Sequence, residues 1–298
     1  MSGTDRDSSE TKSSGATRRE FVATSAAAGL AAATGVSFAA ERDVIEKDVE
    51  VRTADGVCDA AFFHPAAGAH PGVLIWTDIF GLRPVFRTMG RRVAAQGYAV
   101  LVPNPFYRTA RAPLIVDASS FNFDDPKERA KAQQWSASTR VPGAIESDAE
   151  AHTAFLDAQS QVDRTRKLGT HGYCMGGPLV FKTAAHVSGR IGAAATFHGG
   201  GLVTDKPDSP HLLVPRIKAH MYLAIAASDD AKQPDAKEKL RQAFAAAHVR
   251  ARVEVYAGTI HGWCVADMPR HDGKPIYNKP DAERAWGDLL ELYRSALT

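Results

Sequence analysis

Cysteine is scarce in this chain, and neither sign of charge is in excess. The 298 residues include three cysteines, Cys58, Cys174 and Cys264, with 36 basic and 34 acidic side chains and a formal net charge of +2. An odd number of thiols leaves at least one outside any internal disulfide, and the charge balance provides no basic surface for nucleic acid. Eleven histidines occur without H-E-x-x-H or paired-cysteine spacing, so we predict no metal site.

A strongly hydrophobic run is also missing. The uncharged stretch from Val22 to Ala40 contains mostly Ala, Thr, Ser and Gly, which is too weakly hydrophobic to predict a membrane span. It follows Thr17-Arg18-Arg19-Glu20-Phe21, an order typical of a twin-arginine export signal. We therefore predict that residues 1–40 are a signal segment for the twin-arginine export machinery, and that a periplasmic or secreted protein begins near Glu41. The alternative is a disordered tail with a chance arginine pair.

Strand-like and helix-like segments alternate from residue 46 onward. The hydrophobic pattern predicts strands at 47–53, 57–64, 72–76, 98–102, 167–173, 191–197, 221–226 and 252–256, and helices at 84–96, 143–158, 175–186, 234–247 and 280–297. Such alternation favours a single α/β domain over residues 41–298, with a mainly parallel sheet and helices on both faces. Residues 105–140 interrupt the pattern, which predicts a loop and short helices over the carboxyl ends of the strands.

The segment Gly172-Tyr173-Cys174-Met175-Gly176-Gly177 places a thiol where a predicted strand meets a predicted helix. A nucleophile on such a sharp turn needs small residues two positions before and two positions after it, and Gly172 and Gly176 meet that need. The helix that follows would present its positive end, and the Met175 N–H, to the reacting atoms. We predict that Cys174 is a catalytic nucleophile; the alternative is a buried structural thiol.

A nucleophilic thiol needs a base, and the base needs a carboxylate to orient it. His261 follows the last predicted strand, and two carboxylates, Asp229 and Asp230, follow the strand before it. We choose Asp230 as the partner of His261, and Asp229 is the alternative partner. The residue that does not bind His261 would cap a helix or lie in solvent. Of the remaining cysteines, Cys58 is predicted to lie in the core. Cys264 is predicted to be a packing residue, and the alternative is that it is a redox partner of Cys174.

With these residues in the order Cys, Asp, His, the chain resembles the dienelactone hydrolase family, also called carboxymethylenebutenolidases. The resemblance covers most of residues 46–298. The matching segments are Ile75 to Leu82, His171 to Gly177, Asp230 with Pro234, Tyr256 to Trp263, and Tyr277 with Ala282 to Trp286. The resemblance implies an α/β-hydrolase fold with a triad of Cys174, Asp230 and His261.

The same resemblance implies an oxyanion hole formed by the N–H groups of Ile79 and Met175. It also places Asp78 where the family has a glutamate that helps to convert the thiol to a thiolate. The aspartate is one methylene shorter, so we predict that thiol activation through Asp78 requires a bridging water.

Substrate recognition departs from the family pattern. Arg108 corresponds to a family arginine that can pair with a substrate carboxylate, while Val265 stands where dienelactone enzymes have a second arginine. Losing that cation favours a more neutral or larger ester. We predict that Tyr107 and Trp263 line the substrate pocket with Arg108, although aromatic residues at strand ends also serve as core.

These observations predict a cysteine-dependent hydrolase of an ester or lactone, acting through a thioester, without a metal or organic cofactor, as a monomer or weak dimer. A non-hydrolytic periplasmic ligand-binding protein or thiol sensor on the same scaffold is the alternative. A cysteine amidotransferase or DJ-1-like protein fits less well, because those amidotransferases generally carry a glutamate two residues after the histidine, where this chain has Trp263.

Overall fold

An eight-stranded sheet forms the centre of the computed structural model, which describes residues 43–297. The strand order is β1-β2-β4-β3-β5-β6-β7-β8. Strand β2 runs antiparallel to both of its neighbours, and the other adjacent pairs are parallel. The strands are β1 (Val44–Thr53), β2 (Gly56–Pro65), β3 (Gly72–Trp76), β4 (Ala99–Pro103), β5 (Leu168–Tyr173), β6 (Ile191–Phe197), β7 (His220–Ala226) and β8 (Ala251–Tyr256). A separate two-stranded hairpin pairs β9 (Arg270–His271) with β10 (Lys274–Pro275).

Helices cover both faces of this sheet, because the central parallel strands are apolar on both sides. Helices α1 and α7 pack on one face, while α3, α4 and α6 pack on the other. The helices are α1 (Pro84–Ala95), α2 (Pro126–Ser136), α3 (Ala144–Ala158), α4 (Gly176–His186), α5 (Ala227–Lys232), α6 (Ala236–Ala246) and α7 (Lys279–Ala296). The described residues, 43–297, fall in one compact unit.

The predicted α/β architecture is confirmed, and the predicted elements agree with the structure to within about three residues at each end. The interruption at 105–140 contains α2 and a short 3₁₀ helix, Ala118–Ser120. Phe121 of this segment packs against Phe80, which follows β3. The segment therefore lies beside the carboxyl end of the sheet, as the sequence predicts.

Two predictions concern the chain termini and membranes. The predicted signal segment, residues 1–40, lies outside the described residues. Within residues 43–297, no helix is both long enough and apolar enough to cross a membrane.

Candidate active site

Cys174 lies on a tight turn between β5, which ends at Tyr173, and α4, which begins at Gly176. Its backbone φ is +52°, a left-handed conformation that a side chain seldom adopts and that is common at strained functional turns. A Cβ on Gly172 would lie 2.6 Å from the Gly176 carbonyl oxygen, and a Cβ on Gly176 would lie 2.6 Å from the Trp76 carbonyl oxygen. Both positions therefore require glycine, as the elbow motif predicts.

His261 is the histidine that the fold brings to this turn. Its Nδ1 lies 2.7 Å from an oxygen of Asp229, and its ring is near enough to Cys174 for the two side chains to interact electrostatically. The His261 N–H also donates to the Ser228 hydroxyl at 2.9 Å, which ties the loop after β8 to the end of β7. The three side chains form a continuous chain of contacts from thiol to imidazole to carboxylate.

The prediction that Asp230 is the partner of His261 is wrong. Both Asp230 oxygens instead accept hydrogen bonds from the Lys237 ammonium, at 2.6 and 2.7 Å. The reason is that residues 227–232 fold as the short helix α5, and consecutive helical residues point about 100° apart. In this helix Asp229 faces His261, whereas Asp230 faces α6.

The charge on His261 is set by these contacts. Burial opposes a charge on the ring, but the interaction with a charged Cys174 and the hydrogen bond with Asp229 raise the pKa of His261 from 6.5 to about 10. The imidazolium is therefore the favoured form of His261 at neutral pH. A thiolate is the nucleophilic form of cysteine.

The N–H groups of Ile79 and Met175 are both without an acceptor in the part of the chain that the structure describes. Met175 is the N-cap of α4, so its N–H belongs to the positive end of that helix. The loop of Ile79 is fixed by Asp78, whose carboxylate accepts the Phe80 N–H at 2.9 Å and whose carbonyl accepts the Gly81 N–H at 3.1 Å. These are the donors that the resemblance implies for an oxyanion.

Among the described residues, Asp78 makes no direct hydrogen bond with the Cys174 thiol. Its carboxylate accepts two hydrogen bonds from Arg83, at 2.7 and 2.9 Å, and Arg83 binds Asp267 at 2.7 and 2.8 Å. Burial raises the pKa of Asp78, while the charge and hydrogen bonds of Arg83 oppose that rise. The Asp78 side chain is thus held in a buried ion network. Through its hydrogen bond with the Phe80 N–H, it fixes the loop that carries Ile79.

Removing the cation of this network should destabilise the fold strongly. We expect Arg83→Met to lower the free energy of unfolding by about 3 to 5 kcal/mol, because it leaves the Asp78 and Asp267 carboxylates without their buried partner. The matched control is Arg87→Met on α1, whose half-exposed guanidinium pairs with Glu46 and should contribute less than about 1 kcal/mol. Urea titrations of both variants provide the measurement, and equal losses would contradict a buried role for Arg83.

The three residues predicted to contact substrate have structural partners instead. Trp263 is fully buried and stacks on Tyr256 with ring centroids 4.5 Å apart, so its prediction as a pocket residue is wrong. Arg108 binds both oxygens of Asp148 at 2.8 Å, and the Tyr107 hydroxyl also donates to Asp148 at 2.8 Å. Asp148 therefore already neutralises the Arg108 cation, which argues against the predicted role of Arg108 in pairing with a substrate carboxylate.

His198 is a residue at the site that the sequence analysis missed. It follows β6 with a φ of +42°, and its ring lies edge to face against His261 with centroids 5.0 Å apart. Burial and the neighbouring His261 charge lower its pKa well below 6.5, and both ring nitrogens lack partners among the described residues. A neutral ring there restrains His261 without competing for its proton. The signal in the sequence is a polar residue at a strand end, just before three glycines.

A pocket of about 350 Å³ opens beside His261 and Asp229. Its walls include the glycine run that follows His198, residues 199–201, together with Leu202 and Gln233. Such a volume is at the lower end of the range for small-molecule sites. Within residues 43–297, no group of three or more His, Cys, Asp or Glu side chains is arranged to hold a metal ion.

Comparison with known proteins places this geometry in a family. The model of the dienelactone hydrolase family matches residues 58–297. A Methylorubrum extorquens protein named "Putative carboxymethylenebutenolidase" is 26% identical over 289 residues, which cover 93% of this chain and 92% of that protein. The "Carboxymethylenebutenolidase" of Pseudomonas putida is 27% identical over 176 residues, 58% of this chain and 70% of that protein.

Among solved structures, the "Putative Dienelactone Hydrolase" from Klebsiella pneumoniae superposes with a TM-score of 0.70 at 21% identity, over 85% of this chain and 99% of that chain. At that identity the likeness supports the fold alone. The predicted α/β-hydrolase fold and the predicted class of ester or lactone hydrolase are confirmed, since the chain belongs to the dienelactone hydrolase family.

Proposed function

We propose that this protein cleaves an ester or lactone through a thioester on Cys174. The thiolate attacks the carbonyl carbon, and the carbonyl π electrons move to oxygen, which accepts hydrogen bonds from the Ile79 and Met175 N–H groups. As the tetrahedral intermediate collapses, the C–O bond to the leaving group breaks and the His261 imidazolium protonates the alkoxide. Water then attacks the thioester, with His261 taking its proton, and the thiolate leaves.

One observation carries this proposal: a cysteine in a left-handed conformation interacts electrostatically with a histidine that is itself hydrogen-bonded to a carboxylate. Strain at the nucleophile, a base within reach and an oriented base are the three features that nucleophilic catalysis requires. The N–H groups of Ile79 and Met175, which have no acceptor among the described residues, supply a further feature, a site for the oxyanion. Each such donor typically accelerates the reaction by about two to three orders of magnitude.

The charges of the site favour an uncharged substrate. Arg108 is neutralised by Asp148, and Val265 is buried where dienelactone enzymes have an arginine. A carboxylate on the substrate would then be desolvated without a cationic partner, which is costly. We therefore propose a neutral ester or lactone as the preferred substrate.

The test is hydrolysis by the purified full-length protein under reducing conditions. Dienelactone, neutral lactones and short aryl esters are compared by kcat/KM, and rapid quenching followed by intact mass measurement detects the acyl-enzyme. We expect turnover of neutral compounds above dienelactone, with an acyl group on Cys174. Ligand binding without turnover or acylation would instead support the alternative of a binding protein or thiol sensor.

The pH profile should follow the ion pair of Cys174 and His261. Because the pKa of His261 is raised to about 10, the proton for the leaving group remains in place until that pH, so we expect kcat/KM to fall only as pH rises through about 10. The same shift stabilises the fold fully below pH 6.5, and that stabilisation is lost as pH rises through 10. An alkaline limb near pH 6.5, after subtraction of spontaneous hydrolysis, would contradict the raised pKa of His261.

We also propose that residues 1–40 direct export by the twin-arginine route, on the basis of Arg18 and Arg19 before an uncharged stretch. Fractionation of cells that express the full chain should find the wild type outside the cytoplasm. The Arg18→Lys/Arg19→Lys variant should remain inside, since the route reads the arginine pair. A cytoplasmic wild type would refute the proposal.

A further inference from the structure

A second cavity lies between α1, α7 and the segment that follows His261. It has a volume of about 150 Å³, and four aromatic rings, one methionine and one free thiol are prominent in its walls: Tyr173, Phe197, Tyr277, Trp286, Met89 and Cys264. None of the side chains or N–H groups assigned to the proposed hydrolysis lines it. The cavity is therefore separate from the pocket beside His261.

The Tyr173 hydroxyl is the unusual group in this cavity. Tyr173 is only 4% exposed, yet its hydroxyl makes no hydrogen bond within the described residues. Its electrostatic neighbours are Cys264 and Arg92, which line the same cavity, so the hydroxyl points into it. Burial raises the pKa of Tyr173, and the group stays protonated and able to donate. The hydroxyl is not among the fully buried side-chain atoms that lack a partner, so it is accessible from the cavity, where a ligand acceptor can pair with it.

The cavity carries little net charge. Arg92 donates to both oxygens of Glu283, and its guanidinium lies 4.2 Å from the centre of the Trp286 ring. Burial also raises the pKa of Cys264 well above its usual range, so the thiol is neutral. The cavity therefore favours neither an anion nor covalent capture, and it offers aromatic walls with the Tyr173 hydroxyl as a hydrogen-bond donor.

We propose that this cavity is a second ligand site for one small, flat, uncharged aromatic molecule with an oxygen that accepts a hydrogen bond from Tyr173. A cavity near 150 Å³ is large enough for a single six-membered ring. The ring would stack among Tyr173, Phe197 and Trp286 in offset or edge-to-face geometry. Phenol is the simplest molecule of this class and serves as the probe.

The test is calorimetric titration of the full-length protein with phenol and with benzene. We expect both to bind, with phenol the tighter. Tyr173→Phe keeps the ring and removes the donor, so it should weaken phenol about 3- to 10-fold and leave benzene unchanged. Ala282→Phe, which fills the cavity from the first turn of α7, should abolish the binding of both probes.

A matched control separates the cavity from general effects of an added ring. Ala245→Phe places the same side chain on the exposed face of α6 and should leave both affinities unchanged. The proposal is overturned if phenol does not bind up to about 10 mM, if Tyr173→Phe weakens phenol and benzene equally, or if Ala282→Phe retains binding in a variant that unfolds at the wild-type urea concentration.

Discussion

Cys174→Ala is expected to abolish hydrolysis while leaving the fold intact. The variant removes the only atom proposed to attack the substrate, and losses of about 10⁴-fold or more in kcat are usual when a nucleophile is deleted. Alanine keeps the Cβ of the strained turn, so the unfolding midpoint should stay near that of the wild type. Steady-state rates on the preferred ester and urea titrations measure the two quantities.

Cys58→Ala is the matched control for the loss of a thiol. Cys58 is buried in β2, and burial raises the pKa of its thiol far above the physiological range, so it supplies no thiolate. We expect this variant to retain hydrolysis and to gain the same mass increment on acylation as the wild type. Retained turnover in Cys174→Ala would remove Cys174 from the nucleophile role, whatever Cys58→Ala does.

Asp229→Asn and Asp230→Asn should differ strongly, although the two residues are neighbours in sequence. Asp229 orients His261 through a 2.7 Å hydrogen bond, and its loss should lower kcat by about 10² to 10⁴-fold, since an amide stabilises neither the charged ring nor its reactive tautomer. Asp230 pairs with Lys237 at the surface, so its substitution should change kcat by less than about threefold.

The pH profile adds an independent measure of the same pair. Asp229→Asn removes an anion that raises the pKa of His261, so the alkaline limb of kcat/KM should move to lower pH. Asp230→Asn should leave that limb in place. A larger kcat loss for Asp230→Asn than for Asp229→Asn would contradict the geometry of α5.

The elbow could be predicted from the sequence because its requirement is local. The Cβ of Gly172 would collide with the backbone of Gly176, four residues away, and this constraint is visible in the spacing of the glycines. The strands could be predicted for a similar reason, since buried parallel strands are continuous apolar runs. His261 followed from the order of strand ends along the sheet.

The choice between Asp229 and Asp230 could not be made in this way. It depends on the rotational phase of α5, a helix of six residues that the sequence pattern did not indicate. Arg83 and Asp267 are 184 residues apart, and no local pattern joins them. Trp263 illustrates a third limit, because an aromatic residue at a strand end has the same sequence signal whether it stacks in the core or faces a ligand.

The close approach of Gly176 to the Trp76 carbonyl has a consequence for engineering this protein. It locks the turn of Cys174 to the end of β3, which leads into the loop of Ile79, so the two N–H donors keep a fixed spacing. Mutant libraries can therefore vary the walls of the pocket beside His261 to change the accepted acyl group. Position 176 has to stay outside such libraries, because any side chain there would push the two donors apart. Hydrolysis of every substrate would then be lost, whatever the walls of the pocket.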